Sequence, residues 1–273
     1  RKSALESVCR QPSSPAQGAE FAARVLKALT DNADTWSKTV LIQTFDENDV
    51  LFDHAPPPAP PSYNLDGTLA GGATLDLKGE YFSDEARAHL APDDTISGTV
   101  RPWGLGARVP TYVISPWSRG GWVNSQVFDH TSVGQFLERR FGITVPGISP
   151  WHRAVCGDLL STIDLVSPND PAVPALPNTK GSAALVAEQE RRPRPEPPAL
   201  PEKLFQESGD RPSRALPYDL QVDARRGETP ETLTLVFRND GSAGAVFHVY
   251  DRLQLERIPR RYTVEAGKQL ADV

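Results

Sequence analysis

The sequence predicts an α/β layer followed by a partial antiparallel β-sandwich, and three observations carry that expectation. Near the start, an amphipathic helical pattern leads into a continuous apolar, β-branched run, the mark of a strand buried on both faces. A second strand pattern and a second helix pattern follow, which favours a largely parallel sheet. Near the end the hydrophobic period switches to two, with turn residues between the runs.

The elements follow in order. In Pro15 to Leu29, the residues Phe21, Val25, Ala28 and Leu29 recur at helical spacing. Thr39 to Phe45 is the buried-strand run, and it passes directly into Asp46, Glu47, Asn48 and Asp49. A Pro-rich loop at 56–61 and a Gly-rich stretch to about Gly98 come next. Arg108 to Ser115 is the second strand, ending in the loop Pro116 to Trp122. Thr131 to Phe141 reads as a helix with Val133, Phe136, Leu137 and Phe141 on one face, stopped by Gly142. These elements place a first domain at residues 1–166. Eleven prolines fall from Pro168 to Pro217 around the charged run Glu188 to Pro195, so residues 167–216 read as an extended, semi-rigid linker. Beyond it Tyr218 to Val222, Leu233 to Phe237 and Val246 to Tyr250 alternate. Arg226-Gly227, Asn239-Asp240-Gly241 and Ala266-Gly267 supply the turns. Residues 217–273 fall short of the roughly 100 that a sandwich normally uses, so this domain is expected to be incomplete.

Composition limits the function. The 273 residues carry a net charge of −6, which leaves no basic surplus for nucleic acid. No apolar run approaches the ~18 residues of a transmembrane segment. Cys9 and Cys156 make neither a disulfide framework nor a zinc cluster, although they could pair once in an oxidising compartment. The chain has no methionine and no leader-like h-region, so a fragment of a longer protein is expected.

The segment Phe45 to His54 concentrates acidic residues and a histidine at the carboxyl end of a strand, where open α/β sheets bind ligands. Crowded carboxylates repel one another and are commonly held by a cation. The oxygens of Asp46 and Glu47, with a nitrogen of His54, suit a hard or borderline divalent metal. The plain alternative is that Asp46 caps a turn and the other charges are solvated.

The stretch Trp36 to Asp49, continuing through Phe52-Asp53-His54, closely resembles the bacterial non-haemolytic phospholipase C family, phosphoesterases of the alkaline-phosphatase-like superfamily. Gly104 to Pro110, Ser115 to Gly121, Asp129 to Val133 and Ile258 to Gly267 match it as well. The resemblance implies an alkaline-phosphatase-like sheet with helices on both faces. It also implies a metal-assisted phosphoric diester hydrolase that cleaves phospholipid headgroups such as phosphocholine. Asp46 and Glu47 map onto the family's metal-binding pair, and the divalent ion's identity stays open. His54 and His130, with Asp129 beside them, are the candidates for hydrogen-bonding phosphoryl oxygens or the leaving group. Arg119, next to Gly120-Gly121, is the candidate for binding the substrate phosphate. The family further implies a secreted or periplasmic location and peripheral contact with a membrane surface.

Two departures matter. Val50 stands where the family has glycine, and the family's Glu-Asn motif and hydroxyl nucleophile lie upstream of the matched blocks. The chain alone is therefore expected to be inactive. The alternative reading is a non-catalytic remnant that binds a lipid surface or a protein. Trp103, Trp117 and Trp122 form either an aromatic headgroup site or core packing. His89, His152 and His248 read as structural or exposed, and Arg252, Arg257, Arg260 and Arg261 as a solvated face of mixed charge.

Overall fold

The computed structural model describes residues 15–48, 55–82, 100–167, 169–176, 178–179, 181–189, 191–193, 196, 199–200, 208–229 and 231–273. Cys9, Val50, Asp53, His54 and His89 lie outside these. The helices are α1 (Pro15–Thr30), α2 (Ala33–Trp36), α3 (Thr131–Phe141), α4 (Pro150–Val155) and α5 (Ser182–Gln189). The strands are β1 (Leu41–Thr44), β2 (Ser62–Tyr63), β3 (Leu69–Ala73), β4 (Tyr81–Phe82), β5 (Arg101–Pro102), β6 (Thr111–Ile114), β7 (Leu220–Arg226), β8 (Leu233–Asn239), β9 (Ala245–Val249), β10 (Arg260–Val264) and β11 (Lys268–Asp272). The result is a mixed α/β protein with few helices and sandwich-like sheets. Its contacts divide it into two compact units.

The first unit comprises Arg1–Gln43, Tyr112–Gly121 and Asp164–Pro212. α1 packs against α5, a helix inside the Pro-rich stretch. Asn32 caps α2 by accepting from the Thr35 amide at 3.0 Å, and Trp36 at the end of that turn is buried. β1 pairs with β6 in a two-stranded sheet. The Ser115 hydroxyl, just past β6, donates to the Thr39 carbonyl at 2.9 Å. β1 is half-buried instead of buried on both faces, because β6 is its single neighbouring strand among the described residues.

The second unit comprises Thr44–Thr111, Trp122–Ile163 and Ser213–Val273. One sheet has the order β2-β3-β10-β9 and another β11-β8-β7. β10 runs parallel to β3 with Arg261 opposite Gly71, and antiparallel to β9 with Arg260 opposite Val249. The other described ladders of this unit are antiparallel. The two sheets meet where the Phe237 and Tyr262 rings stack 4.2 Å apart, with Val264 buried beside them. A second core gathers Trp151, Val155 and Cys156 of the α4 segment against Leu75, Leu77, Leu105, Val127 and Val246. Trp151 Nε1 donates to Thr263 Oγ1 at 3.0 Å, fixing α4 to β10.

Gly71 explains how an early strand reaches the late sheet. Its φ is +124°, and a Cβ there would lie 1.9 Å from the Arg261 carbonyl oxygen. Glycine alone lets β3 approach β10 this closely.

α3 begins and ends where the sequence predicts, with Gly142 left-handed at φ +66°. Its buried face differs from the expected one. Ser132 and Gln135 are buried, whereas Leu137 and Phe141 are exposed. Polar side chains can face inward here because both are bonded: Gln135 Nε2 donates to the Cys156 carbonyl at 3.1 Å, and Ser132 Oγ accepts from the Asp129 amide at 3.1 Å.

Candidate functional site

β1 ends at Thr44, and the chain then bends through Phe45, Asp46 and Glu47. Both carboxylates are exposed. Neither is engaged by a hydrogen bond or ion pair with another described residue. His130, at the head of α3, brings a second segment to this bend: its Nε2 lies 2.9 Å from the Phe45 carbonyl oxygen. A carbonyl only accepts, so Nε2 carries the proton and Nδ1 is the ring nitrogen left to accept one.

Asp129 precedes His130 and is heavily engaged. Its Oδ1 accepts from the Thr131 hydroxyl at 2.6 Å and from the Ser132 amide at 3.1 Å. Together with the Ser132 hydroxyl accepting from the Asp129 amide, this makes a reciprocal cap at the start of α3. Its Oδ2 lies 2.6 Å from His152 Nδ1 on α4. The other ring nitrogen, Nε2, stands 3.7 Å from a carboxylate oxygen of the buried Glu80. The imidazole is thus held between two acids.

Electrostatics follow this geometry. The hydrogen bond with Asp129 raises the pKa of His152 despite its partial burial, and the charge of Glu80 adds to the effect. Burial pushes Asp129 up, but hydrogen bonds from His152 and Thr131 outweigh it and its pKa is lowered. The Cys156 thiol is driven well above its ordinary value by burial first, then by the nearby charges of Asp129 and Glu80.

Asp129, His152 and Cys156 each offer a ligand atom, and these atoms lie within 4.8 Å of one another. Oxygen, nitrogen and sulfur together form a borderline donor set of the kind zinc accepts. At 2.6 Å, however, Asp129 Oδ2 and His152 Nδ1 are hydrogen-bonded. Two ligands at ~2.0–2.2 Å from one tetrahedral ion stand farther apart than this, so an ion here would have to open that bond.

The remaining candidates are placed as follows. Arg119 is ion-paired with Asp170 within the first unit. His54 lies outside the described residues. Trp103 packs edge-on against Phe82, and Trp122 lies under the Arg214 guanidinium at 4.5 Å, so each has a local partner. Sequence reasoning missed His152, Glu80 and Cys156 as a group. His152 and Cys156 stand four apart at a helix and its cap, a spacing that puts them on one face. Glu80 gave no signal, because nothing in a Gly-rich stretch marks a buried carboxylate.

Comparison with known proteins bears on this geometry. The sequence model of the Phosphoesterase family matches residues 7–144, and that of the bacterial phospholipase C C-terminal domain matches 212–273. The chain is 54% identical over 96% of its length to a non-hemolytic phospholipase C of Pseudomonas aeruginosa, covering 36% of that protein. It is 45% identical over 98% of its length to a non-hemolytic phospholipase C of Burkholderia pseudomallei, covering 37% of it. A hemolytic phospholipase C of Pseudomonas aeruginosa is 40% identical over 94% of the chain. The chain therefore spans little more than a third of the length of these relatives. The phosphoesterase match and the Asp129–His152–Cys156 group together suggest a metal ion.

Proposed function

Because this chain belongs to the phosphoesterase family and carries the bacterial phospholipase C C-terminal domain, we propose that it forms the later part of a phosphoric diester hydrolase acting on phospholipid headgroups of the phosphatidylcholine type. In this reading residues 1–166 come from the catalytic domain, 167–216 connect, and 217–273 belong to the C-terminal domain.

The observation that carries the reading is the hydrogen bond from His130 Nε2 to the Phe45 carbonyl. It brings the Asp129-His130 segment to the bend that presents Asp46 and Glu47. Two exposed, adjacent carboxylates with no other partner among the described residues are a hard-oxygen donor set, and they fit a divalent cation. Such an ion, when bound, neutralises charge on the phosphoryl oxygens. In its doubly protonated form His130 donates from Nδ1 to the headgroup phosphate or leaving oxygen while Nε2 stays on the Phe45 carbonyl, and His54 shares the role of hydrogen-bonding those oxygens. Asp129 holds the backbone that carries His130 in place. A secreted or periplasmic location and peripheral contact with a phospholipid surface belong to the same reading. Among the described residues, no helix is long and apolar enough to cross a membrane.

Calorimetric titration of the chain with phosphocholine, with and without manganese, tests the proposal. Binding that needs the cation and is lost in Asp46→Ala supports it. Absence of binding in both conditions overturns it.

A further inference from the structure

We propose that one end of the second unit's sandwich is a bilayer-insertion surface, built from the β2–β3 turn and the β9–β10 loop. Strand register places the two together. β3 and β10 are parallel neighbours, so the segments entering them lie at the same end of the sheet. β9 is antiparallel to β10, with Val249 opposite Arg260, so its exit lies there too.

Both connections are ordered turns that push leucine outward. In the first, the Gly67 amide donates to the Asn64 carbonyl at 3.0 Å and the Asn64 amide to the Thr68 carbonyl at 2.8 Å. Leu65 sits on the tip of that turn, fully exposed. In the second, Asp251 Oδ1 accepts from the Leu253 amide at 3.0 Å, and the Asp251 carbonyl accepts from the Gln254 amide at 3.2 Å. A further turn follows at once, closed by the Arg257 amide donating to the Gln254 carbonyl at 3.1 Å. These two turns leave Leu253 at 94% and Leu255 at 71% exposure, with Tyr250 and Ile258 partly exposed at their base. Leucines held outward by hydrogen-bonded turns differ from scattered surface apolar residues, because three of them converge at one end of a single sheet.

The surroundings identify the occupant. Arg252 and Arg257 flank the leucines in the chain and are exposed, and Arg257 Nη1 lies 3.7 Å from Asp251 Oδ2, so the loop keeps charged groups in water at the base of its apolar tips. Asp66, Asp251 and Glu256 stand in the same two connections, so the acids outnumber the two arginines by one and the local charge gives no attraction to anionic lipid. The surface therefore suits a zwitterionic bilayer entered by leucine side chains. Choosing a bilayer rests on the phospholipase reading, but the test reads partition and not headgroup cleavage, so each can fail alone.

The test is co-sedimentation of the full chain with phosphatidylcholine vesicles, alongside Leu253→Glu, Leu255→Glu and Leu65→Glu. Leu185→Glu on α5 is the control, and melting curves confirm that each variant folds. The expected result is partition of the parent chain onto neutral vesicles, reduced about tenfold or more by each loop substitution and unchanged by Leu185→Glu. A Leu253→Trp variant should show a blue-shifted emission quenched by lipid brominated in the acyl chain. Failure of the parent chain to partition, partition only with anionic lipid, or loop variants that partition like the parent would each overturn the proposal. So would a dimer in sedimentation equilibrium that Leu253→Glu dissolves, since the leucines would then be a contact between copies.

Discussion

His152 Nδ1 lies 2.6 Å from Asp129 Oδ2, and this one contact fastens the start of α3 to α4. α4 is itself anchored in the core by Trp151, and Asp129 is the residue before His130. The chain of contacts runs from buried core to capped helix to the bend that carries Asp46 and Glu47. A histidine that reads as merely structural in the sequence thereby stands behind the proposed site.

The pair makes stability depend on pH in two directions. The folded-state pKa of His152 is raised above 6.5, so its contribution is complete below that value and is lost as pH rises through the raised one. The folded-state pKa of Asp129 is lowered below 3.8, so its contribution is present above 3.8 and is lost as pH falls through the lowered value. Melting temperature should therefore be highest between these limits. His152→Gln should remove the alkaline decline, which melts at closely spaced pH values will show.

Removing the carboxylate should cost more than a surface change. Asp129→Ala leaves the partly buried imidazole without its hydrogen-bond partner and takes away the cap on the Ser132 amide. A loss of about 1–3 kcal/mol in denaturant unfolding is expected.

Gly71→Ala should destabilise the chain by about 2 kcal/mol or more, since the new methyl would overlap the Arg261 carbonyl at an unfavourable φ. Gly72→Ala is the control: its Cβ would stand 3.4 Å from the nearest atom of Leu270, an ordinary contact. Urea midpoints of the two variants should separate clearly.

Trp151→Phe keeps most of the buried ring but removes the donor to Thr263 Oγ1 in a core position. The unpaired buried hydroxyl should cost about 1–2 kcal/mol, and Thr263→Val in the same background should restore part of it.

These residues also show what was legible beforehand. α1 and α3 announced themselves because apolar spacing and Gly142 are local signals. The alternating runs of β7 to β9 were equally readable, and so was the acidic segment beyond β1, where the apolar run simply ends. β3 was not, because Gly71-Gly72 reads as loop until a neighbouring strand requires a missing side chain. The buried face of α3 was misread for a related reason: Ser132 and Gln135 point inward only because Asp129 and the Cys156 carbonyl wait for them. Within the site, adjacency revealed Asp46-Glu47 and Asp129-His130. Glu80 and His152 meet Asp129 only through tertiary packing.

Thermal melting of the chain during titration with manganese most directly tests the assignment of a cation to Asp46 and Glu47. A bound ion should produce a saturable rise of several degrees, since ligand at 100 times its Kd contributes about 2.7 kcal/mol. The account predicts that the rise vanishes when Asp46→Ala and Glu47→Ala are combined and survives Cys156→Ser. A flat titration would contradict it, as would a rise that persists in the double variant but disappears in Cys156→Ser, which would move the ion to Asp129, His152 and Cys156.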